Sequence, residues 1–150
     1  MENNIFNVAD AVINNLIQNK YVILFSTDLE VDKLERYLFK AYLKKCDLNN
    51  YSEENINKAY AEYNALCCKN GLLVFDNMYY SLPEIEKTLL SGKPRNSNVI
   101  VIFDNIAHIT RESVNTEKQL KRRLQKISQK VGYPIECFED KYLFEISKQL

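Results

Sequence analysis

The sequence predicts an α/β fold: a largely parallel, doubly wound sheet flanked by helices. Three observations carry that prediction. Two apolar runs, YVILF at Tyr21–Phe25 and VIVIF at Val99–Phe103, are unbroken, as in strands buried on both faces. Helical stretches with apolar residues every three or four positions separate such runs. Capping residues stand where strand gives way to helix. Strands alternating with helices build a parallel sheet whose functional groups collect at the carboxyl ends of its strands. At 150 residues the chain is expected to be one domain, burying roughly 70% of its unfolded surface without a metal or disulfide.

The elements follow in order. Asn7 is a candidate cap for a first helix carrying Val8, Ala11, Val12 and Leu16 and ending near Asn19 and Lys20. After the strand Tyr21–Phe25, the oxygens of Ser26, Thr27 and Asp28 can cap a helix from about Leu29 to Lys45. Ser52, with Glu54 and Asn55, opens a helix holding Ile56, Ala59, Tyr60, Tyr63 and Leu66, and Gly71 stops it before the strand LLVF. Ser81 and Pro83 open a short helix to about Leu90, and SGKPRNSN reads as a loop. Beyond the strand that ends at Asp104, residues 112–131 are expected to form a long helix with Leu120, Leu124, Ile127 and Val131 on one face, stopped by Gly132. PIECF and KYLFEI read as the last strands.

Composition excludes several function classes. Twenty basic and 20 acidic residues cancel, and the pI is near 6.6, so bulk charge does not mark a nucleic-acid binder. Cys46, Cys67, Cys68 and Cys137 form no CxxC pair, and with a single histidine, His108, no metal site is expected; buried, reduced thiols are. No run reaches the about 20 apolar residues of a membrane helix, and the start MENNIFNVAD lacks the basic end of a secretory signal, so a cytoplasmic protein with no membrane partner is expected. Abundant Asn, Ile and Lys fit an AT-rich bacterial genome, or one of its phages or mobile elements.

Two strands end alike, LLVFDN at Asp76 and Asn77 and IVIFDN at Asp104 and Asn105. An acid closing an apolar strand is the form in which many ATPases hold magnesium; Asp-Asn at a strand end equally makes turns through its own backbone. A phosphate loop GxxxxGK followed by Ser or Thr needs glycines so that backbone N–H groups converge on phosphates. The three glycines do not supply one: Gly71 and Gly132 read as helix stops, and Gly92-Lys93 is followed by Pro94.

Lys118, Lys121, Arg122, Arg123, Lys126 and Lys130 fall away from the apolar seam of the last helix, as either a solvated face or a surface for an acidic partner or nucleic acid. Asp28, Glu30, Asp32 and Glu35 cluster with the opposite sign, predicting an electrically two-sided molecule. Tyr51, Tyr60, Tyr63, Tyr79 and Tyr80 lie in polar segments expected to be exposed, either half-buried in ordinary packing or offered to a partner.

In order, these pieces resemble the RecA-type ATPase domain of replicative DNA helicases of the DnaB type. That family has a strand ending LFFSLEM, a strand like PLYIDD, a short helix beginning SEI, a strand like IVIDYLQLI and a helix ending VPVIALSQ. Here VILFSTDLEVDKLERYL, NGLLVFDN, SLPEIEKTLL, NVIVIFDNIAHI and LKRRLQKISQKVGYPIECFED occur in the same sequence, over roughly residues 8 to 140. The resemblance implies a RecA-like sheet with Asp104 on the magnesium acid, Asp28 where the water-activating glutamate belongs, and Asp140 on or near the γ-phosphate sensor. Against the family's plan, Met1 to Asn7 stand where the phosphate loop would precede the first helix, Asp28 is one methylene short and reads equally as a cap, and the chain stops at Leu150 before the segment bearing the basic finger.

The expectation is therefore a catalytically inert, helicase-like domain with no cofactor, acting by binding and modulating a larger protein, either a replicative helicase or a defence complex. Tyr79, Tyr80, Lys121, Arg122, Arg123 and Lys126 are the candidate contacts, and Asp104, Asp76 and Asp28 a vestigial nucleotide or metal edge. The alternative is residual binding of nucleotide or single-stranded nucleic acid.

Overall fold

The two unbroken apolar runs become neighbours at the centre of a five-stranded sheet. The computed structural model describes residues 2–26, 31–48, 50–76, 80–91, 98–106, 109–110, 116–138 and 143–145. Its elements are α1 (Glu2–Ile17), β1 (Tyr21–Ser26), α2 (Val31–Lys45), α3 (Glu53–Leu66), β2 (Leu72–Asp76), β3 (Tyr80–Ser81), α4 (Leu82–Ser91), β4 (Val99–Phe103), β5 (Ile109–Thr110), α5 (Glu117–Val131), β6 (Ile135–Phe138) and β7 (Leu143–Glu145). The strand order is β2-β1-β4-β6-β7. β2, β1, β4 and β6 run parallel and β7 is antiparallel to β6. A parallel pair, β3 with β5, forms a second small sheet that the sequence did not announce.

Side chains alternate across the strands, and both faces are covered. Val22, Leu24, Ile100 and Ile102 face α1, α2 and α3, meeting Val12, Leu16, Leu34, Leu38 and Tyr63. Ile23, Phe25, Val101 and Phe103 face α4 and α5, meeting Ile85, Leu89, Leu120 and Leu124. Burial on both sides is why β4 is apolar throughout and β1 is apolar up to its last residue, Ser26. The connection from β1 to β2 runs one way along the sheet over the first face; those from β2 to β4 and from β4 to β6 run the other way over the second. Reversing direction and face together keeps every crossover right-handed.

Several boundaries differ from expectation for identifiable reasons. Asn7 lies inside α1, which begins at Glu2. The ring of Phe6 packs edge-on against Tyr37 of α2, centroids 5.0 Å apart, and this contact favours helix one turn earlier than the asparagine would suggest. Thr116, in extended backbone, caps α5 by accepting a hydrogen bond from the Gln119 N–H at 3.1 Å, so that helix starts later than residue 112. Ser52 and Ser81 act as expected, accepting from the N–H groups of Asn55 at 3.2 Å and Glu84 at 3.3 Å. α3 runs on into a π-helical turn over Cys67–Gly71 before β2. Gly132 closes α5 in the left-handed conformation with φ 81°, its N–H donating to the Ser128 carbonyl.

Among the described residues no helix is long and apolar enough to cross a membrane. The cysteines are free but not uniformly buried: Cys137 is enclosed, Cys46 and Cys67 are partly covered and Cys68 is exposed, correcting the expectation for that residue.

Candidate functional site

The strand order fixes where a site belongs. From β1 the chain leaves toward β2, and from β4 it leaves toward β6 on the other side. The crevice outside the carboxyl ends of β1 and β4 is therefore the topological switch point, where sheets of this class bind ligands. Asp104 stands there.

Parallel pairing puts Phe25 level with Phe103 on one side and with Phe75 on the other. Their rings form a three-membered stack, Phe75 to Phe25 at 5.1 Å and Phe25 to Phe103 at 4.7 Å between centroids. Tyr80 closes it edge-on against Phe25 at 4.9 Å. Such aromatic pairs add about 0.5–1.5 kcal/mol each beyond area burial, and here they hold three strand ends in one register.

Just above the stack, the Asp104 N–H donates to the Phe25 carbonyl at 3.1 Å, continuing the ladder for one residue. The Ser26 hydroxyl donates to Asp104 Oδ2 at 3.2 Å. Asp104 is 4% exposed and Ser26 1%. Ser26 is thus the last residue of β1 and a partner of Asp104, in place of the helix-capping role its sequence context suggested. Sequence reasoning missed this pair, though the serine closing an LFFS-like strand was its available signal.

The repeated strand endings also acquire a spatial meaning. β2 and β4 flank β1 on opposite sides, and Asp76 pairs in register with Ser26 while Asp104 hydrogen-bonds to it. Asp76 is exposed because β2 is the edge strand, whereas Asp104 sits over the middle of the sheet. Asp28, Tyr79, His108, Gly92, Lys93 and Asp140 lie outside the described residues.

The donor set is too small for a self-sufficient metal site. Ser26 and Asp104 offer one hydroxyl and one carboxylate, and among the described residues no group of three or more His, Cys, Asp or Glu converges. Magnesium commonly takes one or two protein carboxylates and completes its shell with water and substrate phosphates, so this pair would depend on phosphates held by another element.

The other candidates separate by burial. Tyr80 is 4% exposed and belongs to the core, correcting its expected exposure, and Tyr63 is 3% exposed. Tyr51 and Tyr60 are exposed as expected. On α5, Arg122 and Lys126 are exposed with Lys118, while Lys121 and Arg123 are half-covered. Lys130 pairs with Glu86 of α4 at 2.8 Å. Of the expected acidic cluster, Asp32 and Glu35 lie on α2 among Lys33, Arg36, Lys40, Lys44 and Lys45, while Asp28 and Glu30 lie outside the described residues.

Solved structures share this architecture. The chain matches the ATPase domain of a DnaB-like helicase with a TM-score of 0.67 and 16% identity, over 90% of its own length and 53% of that chain. It matches a DnaB-like replicative helicase, solved to describe its interactions with primase, with a TM-score of 0.64 and 16% identity, over 84% of its own length and 33% of that chain. The chain has a RecA-like fold. It spans about half the length of the first structure and a third of the second. No protein-family profile and no curated protein matches the sequence. At this identity the likeness is one of fold, and it agrees with the order of motifs in the sequence.

Proposed function

We propose that this RecA-like domain works by binding and modulating a larger protein, and that these 150 residues carry out no hydrolysis of their own. One observation carries the reading: Asp104 is held at the switch point by Ser26 and the sheet, while these residues contain no glycine-rich loop to bring phosphates to it. A domain with that combination keeps a helicase-like shape without the means to position a nucleotide for transfer. A DnaB-like replicative helicase is the first partner to test, because a helicase-like domain offers it subunit-like surfaces; a host-defence complex is the second. The Asn-, Ile- and Lys-rich composition fits an AT-rich bacterial genome, or one of its phages or mobile elements.

The test is affinity purification of the tagged chain from its host's lysate at two salt concentrations, read by mass spectrometry, followed by unwinding assays with the purified helicase. A stoichiometric partner that survives the higher salt and an altered unwinding rate are expected. Hydrolysis of magnesium ATP by the isolated chain at a rate abolished by Asp104→Asn would reverse the reading.

A specific observation favours the second reading, binding of single-stranded nucleic acid. Lys118, Arg122 and Lys126 recur every four residues along the exposed side of α5, and none has an ion pair with a described residue. Alanine at all three should lower retention on a single-stranded oligonucleotide and reduce the salt slope by about 0.7 per lost phosphate contact. No retention of the unmodified chain at low salt removes this reading.

A further inference from the structure

The ends of three helices enclose a second hollow, at the edge of the sheet opposite Asp104. Ile17 closes α1 just ahead of β1, Lys45 closes α2, and Lys69 lies in the turn just ahead of β2, so the hollow sits at the amino ends of the strands. Its volume is about 410 Å³, within the range of small-molecule sites. Ile17, Ala65 and Leu66 give it an apolar wall, and Ile17 is 45% exposed there, unusually open for an aliphatic residue at the end of a packed helix.

The polar groups in the hollow divide by sign. Tyr42 stands beside Glu62 and Cys46 in the lining of the hollow, so the one carboxylate of the site lies against a phenol. Lys45 and Lys69 line the same space and have no ion pair with a described residue. An apolar wall beside two ammonium groups that have no ion pair with a described residue complements a molecule with an apolar body and one negative end: burial favours the body, and charge-assisted hydrogen bonds favour the end.

We propose that this hollow binds a small amphipathic anion of the medium-chain carboxylate class. The chain lies on Ile17, Ala65 and Leu66, and the carboxylate meets Lys45 and Lys69. The proposal is independent of the reading given to Asp104, since no residue is shared between the two places.

Cys46 lines the hollow, and Cys68 is exposed outside it, so the two thiols make a probe and a reference. The experiment is iodoacetamide alkylation of the full native chain, with octanoate as ligand, octanol as its uncharged counterpart, and peptide mass spectrometry as readout. Octanoate should slow Cys46 saturably, by about tenfold at ten times its dissociation constant, with Cys68 unchanged. Octanol should protect at least about tenfold less well, the scale of one charged contact, and Lys45→Gln with Lys69→Gln should erase that difference. An unchanged Cys46 rate, equal slowing of Cys68, or equal protection by octanol in the unmodified chain would each overturn the proposal.

Discussion

Among the described residues two glycines carry positive φ, and the space around them separates what a methyl group costs at each. Gly132, with φ 81°, has nothing within 4 Å of the added carbon. Alanine there meets only backbone strain, about 1 kcal/mol. Gly71, with φ 90°, faces the ring of Tyr21, which an added methyl would overlap. Gly71→Ala should therefore cost about 2–4 kcal/mol, and urea midpoints should fall in the order wild type, Gly132→Ala, Gly71→Ala. Equal midpoints for the two variants would mean that the Tyr21 ring moves aside freely. A second residue-scale prediction concerns Tyr42, whose pKa is pushed up from 10 to about 12, first by burial and then by Cys46 and Glu62. The folded state holds that proton more tightly than the unfolded chain does. Its contribution to stability is thus complete below pH 10 and is lost between pH 10 and about 12. Tyr42→Phe should flatten the loss of stability across that interval, measured by urea unfolding at stepped pH. Asp104 was legible at this scale because an acid after an apolar strand is a local pattern. Its bond to Ser26 was not, because the two residues lie 78 positions apart and only strand pairing joins them. Tyr80 was misjudged for a related reason: its neighbours in sequence are polar, while its neighbour in space is Phe25.

Helices and strands were read most securely where one force dominated. β4 was legible at full length, and β1 up to Phe25, because burial on both faces favours an unbroken apolar run; the buried Ser26 that ends β1 was read as a cap. α1 and α5 were legible as helices but shifted at their starts, since Asn7 and Thr116 are both plausible caps and tertiary contact decides which one serves. β3 and β5, two residues each, leave no periodic trace and exist through their mutual pairing. The Thr116 cap yields a direct prediction. Thr116→Ala leaves the Gln119 N–H without its side-chain acceptor and should destabilise the protein by about 1 kcal/mol. Thr116→Ser, which keeps the hydroxyl, should restore most of that loss. If both variants unfold at the wild-type midpoint in thermal denaturation followed by circular dichroism, the cap contributes nothing to stability.

At the scale of the whole molecule, the alternation of strand and helix foretold a parallel sheet with both faces covered, but not its strand order. Nothing local in LLVF or IVIFD says that they flank β1 on opposite sides; that arrangement follows from right-handed crossovers over opposite faces. The same arrangement predicts how the chain unfolds. The core between the sheet and α1, α2 and α3 rests on Val22, Leu24, Ile100 and Ile102, while the core under α4 and α5 rests on Ile23, Phe25, Val101 and Phe103. Neighbouring residues of the same two strands thus serve opposite cores, and neither core can come apart without exposing β1 and β4. Leu24→Ala and Leu124→Ala remove fully buried side chains from opposite faces. Each should cost about 3–5 kcal/mol and shift one common transition. Urea unfolding followed by far-ultraviolet circular dichroism and by tyrosine fluorescence should then give coincident curves for the wild type and both variants. Separate transitions, with Leu24→Ala moving one and Leu124→Ala the other, would instead show two units folding independently on either side of the sheet.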